Sequence, residues 1–215
     1  DRLRLREGST RNPDAHDLLL KAQVDNVRTL GPEAVERAIG LVDAALALDP
    51  AYGDAMAAKA ELLRLKAGSY APSAAQSQAT YRLAEATAKR AIQLAPQSRL
   101  GYSALANVLD QQLRRRAALA TFEKMLRIPG NEGETLPSYA VFLSEIGREE
   151  EALRAADRAV AVDPLNPIAR GHRANVLANA RRYPETIREV GEIVKMKPDS
   201  RWPRALRGFS YMMMG

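Results

Sequence analysis

Few side chains in this 215-residue sequence could exchange protons, attack a substrate or bind a metal ion. Cysteine is absent, which excludes a disulfide, a thiolate nucleophile and a Cys-based zinc or iron–sulfur site. The two histidines, His16 and His172, lie 156 residues apart. The signatures of zinc proteases, phosphate-binding loops, α/β-hydrolases and dinucleotide-binding folds do not occur. We therefore expect this segment to be no enzyme and to hold no metal ion and no cofactor.

Arginine forms two clusters in the sequence. The chain has 32 Lys and Arg against 26 Asp and Glu, a formal charge of +6. Residues 114–116 and 181–182 are runs of arginine at predicted helix–helix turns, where a basic rim could contact phosphates. The simpler interpretation is that turns are exposed and that arginine near a helix C-terminus is favoured by the helix dipole. Aromatic residues for base stacking are not interleaved with these arginines, so the sequence argues against nucleic acid as the partner.

The elements that must position any site follow from a repeat. Proline closes five similar segments at intervals of 46, 33, 35 and 34 residues, namely Pro50, Pro96, Pro129, Pro164 and Pro198. Small residues recur at the same spacing, with Ala60 followed by Ala106, Ala140, Ala174 and Gly208. Residues 106–109 and 174–177 both read Ala-Asn-Val-Leu. A period of about 34 residues, with one insertion, explains all three patterns.

Each period contains two predicted helices. In residues 143–164, apolar positions recur every three to four residues, and Gly147 interrupts the pattern before three glutamates. Acidic residues favour a helix N-terminus, and proline ends a helix because it has no N–H and restricts the preceding residue. The repeating unit is therefore helix A, a short turn, helix B and a proline.

This unit resembles the tetratricopeptide repeat (TPR), a 34-residue pattern with small residues at positions 8, 20 and 27 and proline at position 32. Position 20 is occupied by Ala38, Ala84, Ala118, Ala152 and Thr186. Position 27 is occupied by Ala45, Ala91, Met125, Ala159 and Ile193. The tryptophan that the family has at position 4 is missing, with Met56, Tyr102 and Arg170 in its place. The resemblance implies an all-α, right-handed α–α superhelical solenoid of about five helix pairs plus a terminal helix.

The predicted organisation is a linker from an upstream domain in residues 1–12 and a single TPR solenoid in residues 13–215. Asn12 is the expected N-cap of the first helix, and Pro13 its first residue. The predicted repeats are residues 13–52, 53–98, 99–130, 131–164 and 165–200, followed by a terminal helix in 201–215. A polar insertion, residues 69–80, lies between the two helices of the second repeat and is expected on the outer rim.

The concave face of this fold is lined by helix A, so the resemblance places the candidate ligand-binding residues there. They are Ser103, Asn107 and Gln111 in the third repeat and His172, Asn175 and Asn179 in the fifth. An amide side chain both donates and accepts, so Asn107 and Asn175 could each bracket a peptide bond. TPR proteins that clamp a terminal carboxylate need Lys and Arg at positions 2, 5 and 6, where this chain has Leu100, Ser103, Ala104, Ile168 and Gly171.

We therefore predict a protein-interaction or ligand-sensing scaffold that binds a protein or peptide in its concave groove. Residues 12–23 and 31–63 also resemble the start of the TPR region in bacterial CadC-like transcriptional regulators and TPR-containing adenylate cyclases. That resemblance implies the regulatory part of a bacterial signalling or transcription protein. The alternatives are a basic solenoid that binds nucleic acid and a regulatory region attached to a nucleotide cyclase domain.

Two expectations concern compartment and assembly. No run of 18 apolar residues occurs, so we expect no membrane span and a soluble segment of a bacterial protein, in the cytoplasm or the periplasm, with the cytoplasm favoured. The terminal helix has Trp202, Leu206, Phe209 and Met212 to Met214. Solenoids stay soluble by ending in a polar capping element, so this apolar helix suggests a symmetric homodimer formed through it.

Overall fold

The computed structural model describes residues 8–24, 31–130, 132–198 and 201–215, and within these ranges the regular structure is entirely α-helical. The helices are α1 (Pro13–Val24), α2 (Pro32–Leu48), α3 (Gly53–Ser69), α4 (Ala74–Leu94), α5 (Arg99–Gln111), α6 (Arg115–Leu126), α7 (Glu132–Glu145), α8 (Glu149–Val162), α9 (Pro167–Asn179), α10 (Tyr183–Met196) and α11 (Arg201–Met214). This helix order confirms the alternation of helix A and helix B that the repeat predicts.

The chain divides into two compact units, Asp1–Gly130 (unit 1) and Asn131–Gly215 (unit 2). In unit 1, α1 packs on α2, α3 on α4 and α5 on α6, and the helix A elements α3 and α5 also pack on each other. In unit 2, α7 packs on α8, α9 on α10 and α11 on α10, with α7 against α9. The single solenoid over residues 13–215 and its repeat boundaries stay predictions.

The small residues of the repeat form the contact between paired helices. All are buried except Gly208, which is exposed on α11. Because alanine has only a β-carbon, two helices that meet through alanine approach closely, and a larger side chain would push them apart. The buried small residues are Ala60, Ala106, Ala140 and Ala174 at position 8, the five residues at position 20, and Ala45, Ala91 and Ala159 at position 27. The larger Met125 and Ile193 are buried at position 27 of the other two repeats.

Side-chain caps and prolines define the helix ends. Asn12 Oδ1 accepts from the backbone N–H groups of Asp14 and Ala15 at 3.0 and 3.2 Å, which confirms the predicted cap of α1. Asn166 caps α9 in the same way, through Ile168 and Ala169 at 2.9 and 3.2 Å. Such caps satisfy donors that the first helical turn leaves without partners.

Most of the predicted insertion in the second repeat is helical. Ser73 caps α4 by accepting from the backbone N–H of Gln76, and residues 74–80 form the first turns of that helix. Ser77 Oγ donates to the carbonyl of Ala67 at 2.8 Å and joins the extension to the end of α3. The insertion therefore lengthens helix B of this repeat to 21 residues.

Residues 8–12 lie against the first two repeats. The carbonyl of Gly8 accepts from the N–H of Asp54 at 2.9 Å, and Thr10 Oγ1 donates to Asp49 Oδ2 at 2.6 Å. Asp54 is buried and also accepts from Ser98 Oγ at 3.1 Å. The assignment of residues 1–12 to a linker stays a prediction, and residues 1–7, like 25–30, 131 and 199–200 of the predicted repeats, lie outside the described residues.

Arg170, at the position that the TPR pattern gives to tryptophan, belongs to an ion-pair network that joins three helices of unit 2. Its Nε donates to the carbonyl of Pro164 at 2.8 Å, and its guanidinium contacts Glu189 Oε1 at 2.8 Å. Arg173 contacts the other oxygen of Glu189 at 2.6 Å and Asp157 at 2.7 Å. Burial lowers the pKa of Arg173, but its bonds to Asp157 and Glu189 outweigh that effect and raise the pKa overall. An ion-pair network thus occupies the position at which the TPR pattern has a tryptophan.

Candidate functional site

The predicted site residues fall on two helices in different units. Ser103, Asn107 and Gln111 lie on α5 of unit 1, and His172, Asn175 and Asn179 lie on α9 of unit 2. On each helix, the residue four positions after the asparagine at position 9 is on the same face, because four residues make about one helical turn. The prediction of a shared groove stays a prediction, and each face is described by itself.

Asn107 is joined to Glu61 of the neighbouring helix and, through Glu61, to Arg64. Its Nδ2 donates to Glu61 Oε1 at 2.6 Å, and Glu61 Oε2 accepts from Arg64 Nε at 2.8 Å. Glu61 and Arg64 are three residues apart on α3, so they share one face of that helix. Because α3 packs directly on α5, this face is turned toward Asn107.

The charge of Arg64 is retained although the side chain is only 12% exposed. Burial lowers the pKa of Arg64, but attraction by the carboxylate and hydrogen bond of Glu61, with smaller attractions by Tyr81 and Asp110, raises it overall. Burial raises the pKa of Tyr81, and the Arg64 charge opposes that effect only in part. At neutral pH Arg64 is therefore charged and the phenol of Tyr81, on α4, is neutral.

The other two candidates on α5 have different surroundings. Ser103 is only 6% exposed and is part of the helix packing, so its hydroxyl is not presented to solvent. Gln111 is exposed. On the α5 face, Asn107 and Gln111 are therefore the predicted residues that a ligand could contact.

In unit 2, Asn179 Nδ2 donates to Ser144 Oγ of α7 at 2.9 Å, which is a second amide contact between neighbouring A helices. Asn175 and His172 are partly exposed, although the Nδ1 atom of His172 is enclosed by protein. The indole of Trp202 on α11 covers Gly171, where an added β-carbon would lie 3.4 Å from the ring. This face therefore combines amides with an aromatic ring.

Glu61, Arg64 and Trp202 were missed by reasoning from the sequence about the groove. A signal for Glu61 was present, because it follows Ala60 as Asn107 follows Ala106 and Asn175 follows Ala174. Because of the insertion, Glu61 lies 46 residues before Asn107 and not 34. A 34-residue spacing therefore does not show that both residues occupy position 9.

Two arginines of the clusters at the turns are engaged by carboxylates. Arg114 contacts Glu85 at 2.8 Å, and Arg182 contacts both oxygens of Glu185 at 2.5 and 2.6 Å. Hydrogen bonds from Arg182 lower the pKa of Glu185, as expected for a carboxylate beside a cation. The Arg182 pair lies within one predicted repeat and the Arg114 pair joins two neighbouring repeats, and both leave less positive charge for a phosphate.

The described residues also bear on metal binding and on membrane insertion. Within residues 8–24, 31–130, 132–198 and 201–215, His, Cys, Asp and Glu form no group of three or more that could hold a metal ion. Over the same ranges, no helix is both long and apolar enough to cross a membrane.

The sequence matches no protein-family model and no curated protein. Its fold matches solved structures, one of them TTC0263, a thermophilic TPR protein of Thermus thermophilus, with a TM-score of 0.70, 15% identity and coverage of 92% of this chain and 99% of that one. YrrB, a TPR protein with an unusual peptide-binding site, matches with a TM-score of 0.52, 17% identity and coverage of 91% and 92%. Human IFIT1, solved as a dimer with m7Gppp-AAAA, matches with a TM-score of 0.72, 14% identity and coverage of 94% of this chain and 47% of that one.

These matches, with the helix pairs and the buried small residues, define the fold as an all-α solenoid of TPR type, as the 34-residue period predicts. At such identities the likeness shows the fold alone, and the function must be argued from the residues of this chain.

Proposed function

We propose that this chain is a protein-interaction module that holds a polypeptide segment against its A-helix faces and does not catalyse a reaction. The observation that supports this best is the partly exposed amide of Asn107, held in place by Glu61 and followed one turn later by the exposed amide of Gln111. Amides in a row suit an extended peptide, whose backbone offers alternating donors and acceptors. The peptide-binding site of the similarly folded YrrB is consistent with this role.

The test begins with peptides selected from a random display library on the purified chain. Replacing Asn107 and Asn175 together by Ala should weaken binding of a selected peptide by roughly 1 to 3 kcal/mol in total. The melting temperature should stay within about 2 to 4 °C, because partly exposed substitutions cost little. Gln78→Ala, an exposed change on α4, is the control. Unchanged affinity in the double variant would show that neither asparagine contributes to peptide binding.

Nucleic acid is the rival ligand class, and salt dependence separates the two. A protein that neutralises several phosphates loses affinity steeply as salt rises, whereas binding through amides does not. The capped oligonucleotide is a ligand of IFIT1, and the paired state of Arg114 and Arg182 in this chain favours a peptide. Tight RNA binding whose affinity falls steeply as salt rises would make nucleic acid the favoured ligand class.

The finer role that we propose is the regulatory part of a bacterial signalling or transcription protein. Its support is the resemblance of residues 12–23 and 31–63 to TPR regions of CadC-like regulators and TPR-containing adenylate cyclases. The sequence of the complete gene product tests it, because a winged-helix or cyclase domain before the repeats is expected and a different neighbour would contradict it.

We also propose that the chain forms a homodimer through α11. Its exposed apolar side chains support this, with Phe209 45% and Met212 70% exposed and Met213 and Met214 exposed as well. Burial of apolar surface contributes roughly 25 cal/mol per Å², so a few hundred square ångströms would be worth several kcal/mol to a partner.

A further inference from the structure

The contact between Asn107 and Glu61 fixes the orientation of the Asn107 amide, with its nitrogen toward the carboxylate. Glu61 Oε1 can only accept, so the Asn107 atom 2.6 Å from it must be the donor nitrogen. Turning the amide by half a rotation would place Oδ1 against the carboxylate, and two acceptors at that distance repel each other. One orientation of Asn107 is therefore selected.

The carboxylate of Glu61 is itself held in place by Arg64. Its second oxygen accepts from Arg64 Nε at 2.8 Å, and Arg64 is largely enclosed between α3 and its neighbours. A carboxylate bound to a buried guanidinium is fixed in position, and charge-assisted hydrogen bonds are stronger than neutral ones. The chain of contacts from Arg64 through Glu61 to Asn107 thus runs from the interior to the partly exposed amide.

We propose that Glu61 is a positioning residue that sets the binding preference of Asn107. In this arrangement the Oδ1 of Asn107 is a fixed acceptor, and a bound segment that contacts it must place a donor opposite it. For an extended peptide that donor is a backbone N–H. This inference rests on the proposed peptide-binding function and narrows it, because without Glu61 the amide could turn and meet either a donor or an acceptor.

The fifth repeat offers an internal comparison. Asn175 occupies the same repeat position, but position 9 of the preceding A helix, α7, is Val141 instead of a carboxylate. A valine cannot select one orientation of an amide, so the preference that Glu61 imposes belongs to the α5 face.

The experiment is a chemical double-mutant cycle with a peptide selected from a random display library. Each backbone N–H of the peptide is removed in turn by N-methylation, and affinities are measured for wild type, Asn107→Ala and Glu61→Gln. In wild type, N-methylation at one position should weaken binding about tenfold, the effect of one good hydrogen bond. With Asn107→Ala, the same N-methylation should cost less than about twofold, and with Glu61→Gln about two- to threefold, because the amide is no longer held.

Glu36→Gln is the matched control, since Glu36 also pairs with a cation of α3, Lys66 at 2.6 Å, but makes that contact from α2. It should keep the tenfold effect. A second measurement needs no ligand, because the side-chain NH₂ signals of Asn107, identified by their loss in Asn107→Ala, should shift in Glu61→Gln and remain in place in Glu36→Gln. Unchanged melting curves exclude unfolding as the cause.

The possible results separate the two proposals. An N-methylation effect that is lost in Asn107→Ala and reduced in Glu61→Gln supports the inference. An effect unchanged in Glu61→Gln, or unmoved NH₂ signals, overturns the role of Glu61 and leaves peptide binding intact. Failure to select any peptide, or peptides that bind the Asn107→Ala and Asn175→Ala double variant as tightly as wild type, overturns the proposed function and the inference with it.

Discussion

One residue in each A-to-B turn of the last three complete helix pairs has a left-handed backbone. Gly147 has a φ of 81°, and the equivalent Leu113 and Arg181 have φ values of 60° and 55°. At each turn the N–H of the next residue bonds back to a carbonyl five residues earlier, as Arg114 does to Leu109 at 2.9 Å. This is the Schellman pattern, in which glycine is favoured because a β-carbon crowds the backbone at positive φ.

Leu113→Gly should therefore stabilise the protein. The left-handed conformation costs leucine roughly 1 to 2 kcal/mol. The Leu113 side chain is 77% exposed, so it contributes little packing. Because glycine also has greater freedom in the unfolded chain, we expect a net gain of about 0.5 to 1 kcal/mol, measured by denaturant unfolding. Leu83→Gly, at an exposed site inside α4, should instead lose about 1 kcal/mol. A Leu113→Gly variant less stable than wild type would contradict the argument.

The Arg170–Glu189–Arg173 network predicts a second effect at the residue scale. Glu189→Gln keeps the size of the side chain but leaves two guanidinium groups facing a neutral amide. Breaking a fully buried ion pair costs about 3 to 5 kcal/mol, and since both arginines are partly exposed we expect about 2 kcal/mol here. Glu185→Gln, in an exposed pair with Arg182, should cost less than about 1 kcal/mol. Equal losses of stability in both variants would show that burial does not strengthen the ion pairs of Glu189.

At the scale of helices, the sequence contains the information for boundaries and for the core. Asn12, Gly147 and the five prolines act locally, through capping and backbone geometry, so their effects could be predicted without a structure. Periodic alanine likewise predicted which faces pack. The helical start of α4 was not predicted, because a polar segment with one proline is as typical of a loop as of the start of a capped helix.

The candidate site could be predicted less well, for a physical reason. The spacing of the repeat places Asn107 on the correct face of α5, but its hydrogen-bond partner belongs to another helix 46 residues away. Likewise, the burial of Ser103 depends on how closely the neighbouring helices approach. Side-chain partners of this kind depend on tertiary packing, which a period does not encode.

Glu85 on α4 joins that helix to the turn before α6 and predicts a pH effect. Burial raises the pKa of Glu85, but its bonds to Lys89 and Arg114 outweigh burial and lower the pKa overall. A lowered pKa in the folded state means that the stabilisation is present above the unfolded value, about 4.3 for Glu, and is lost as the pH falls through the folded value. Glu85→Gln should therefore cost about 0.5 to 1 kcal/mol at neutral pH and almost nothing near pH 3.

The measurement is denaturant unfolding of wild type and Glu85→Gln between about pH 3 and pH 7. Glu150→Gln is the control, because Glu150 is 92% exposed and contacts Arg154 only at 3.6 Å. A stability difference for Glu85→Gln that did not shrink in acid would mean that its ion pairs are not the source.

At the scale of the molecule, the interior is built mainly from alanine, and the larger side chains are distributed unevenly over the outside. Buried alanine positions recur in both units, whereas several of the large exposed apolar residues lie on α11. The ring of Phe209 contacts Tyr183 edge to face, with centroids 6.4 Å apart, so one side of the ring is packed while 45% of the residue remains exposed. This helix therefore has both a packed and an open apolar surface.

The dimer proposal predicts that this open surface controls assembly. Light scattering of the purified chain should give about twice the mass of 23.6 kDa at micromolar concentration, since an isologous contact between two copies of one face closes with a two-fold axis. Met212→Glu with Met213→Glu should give the monomer, because two carboxylates would be buried without partners at the interface. Leu113→Glu places a charge on an exposed leucine of unit 1 and should leave the mass unchanged. A monomeric wild type that also fails to bind a dye for apolar surface would show that α11 needs no partner to cover it.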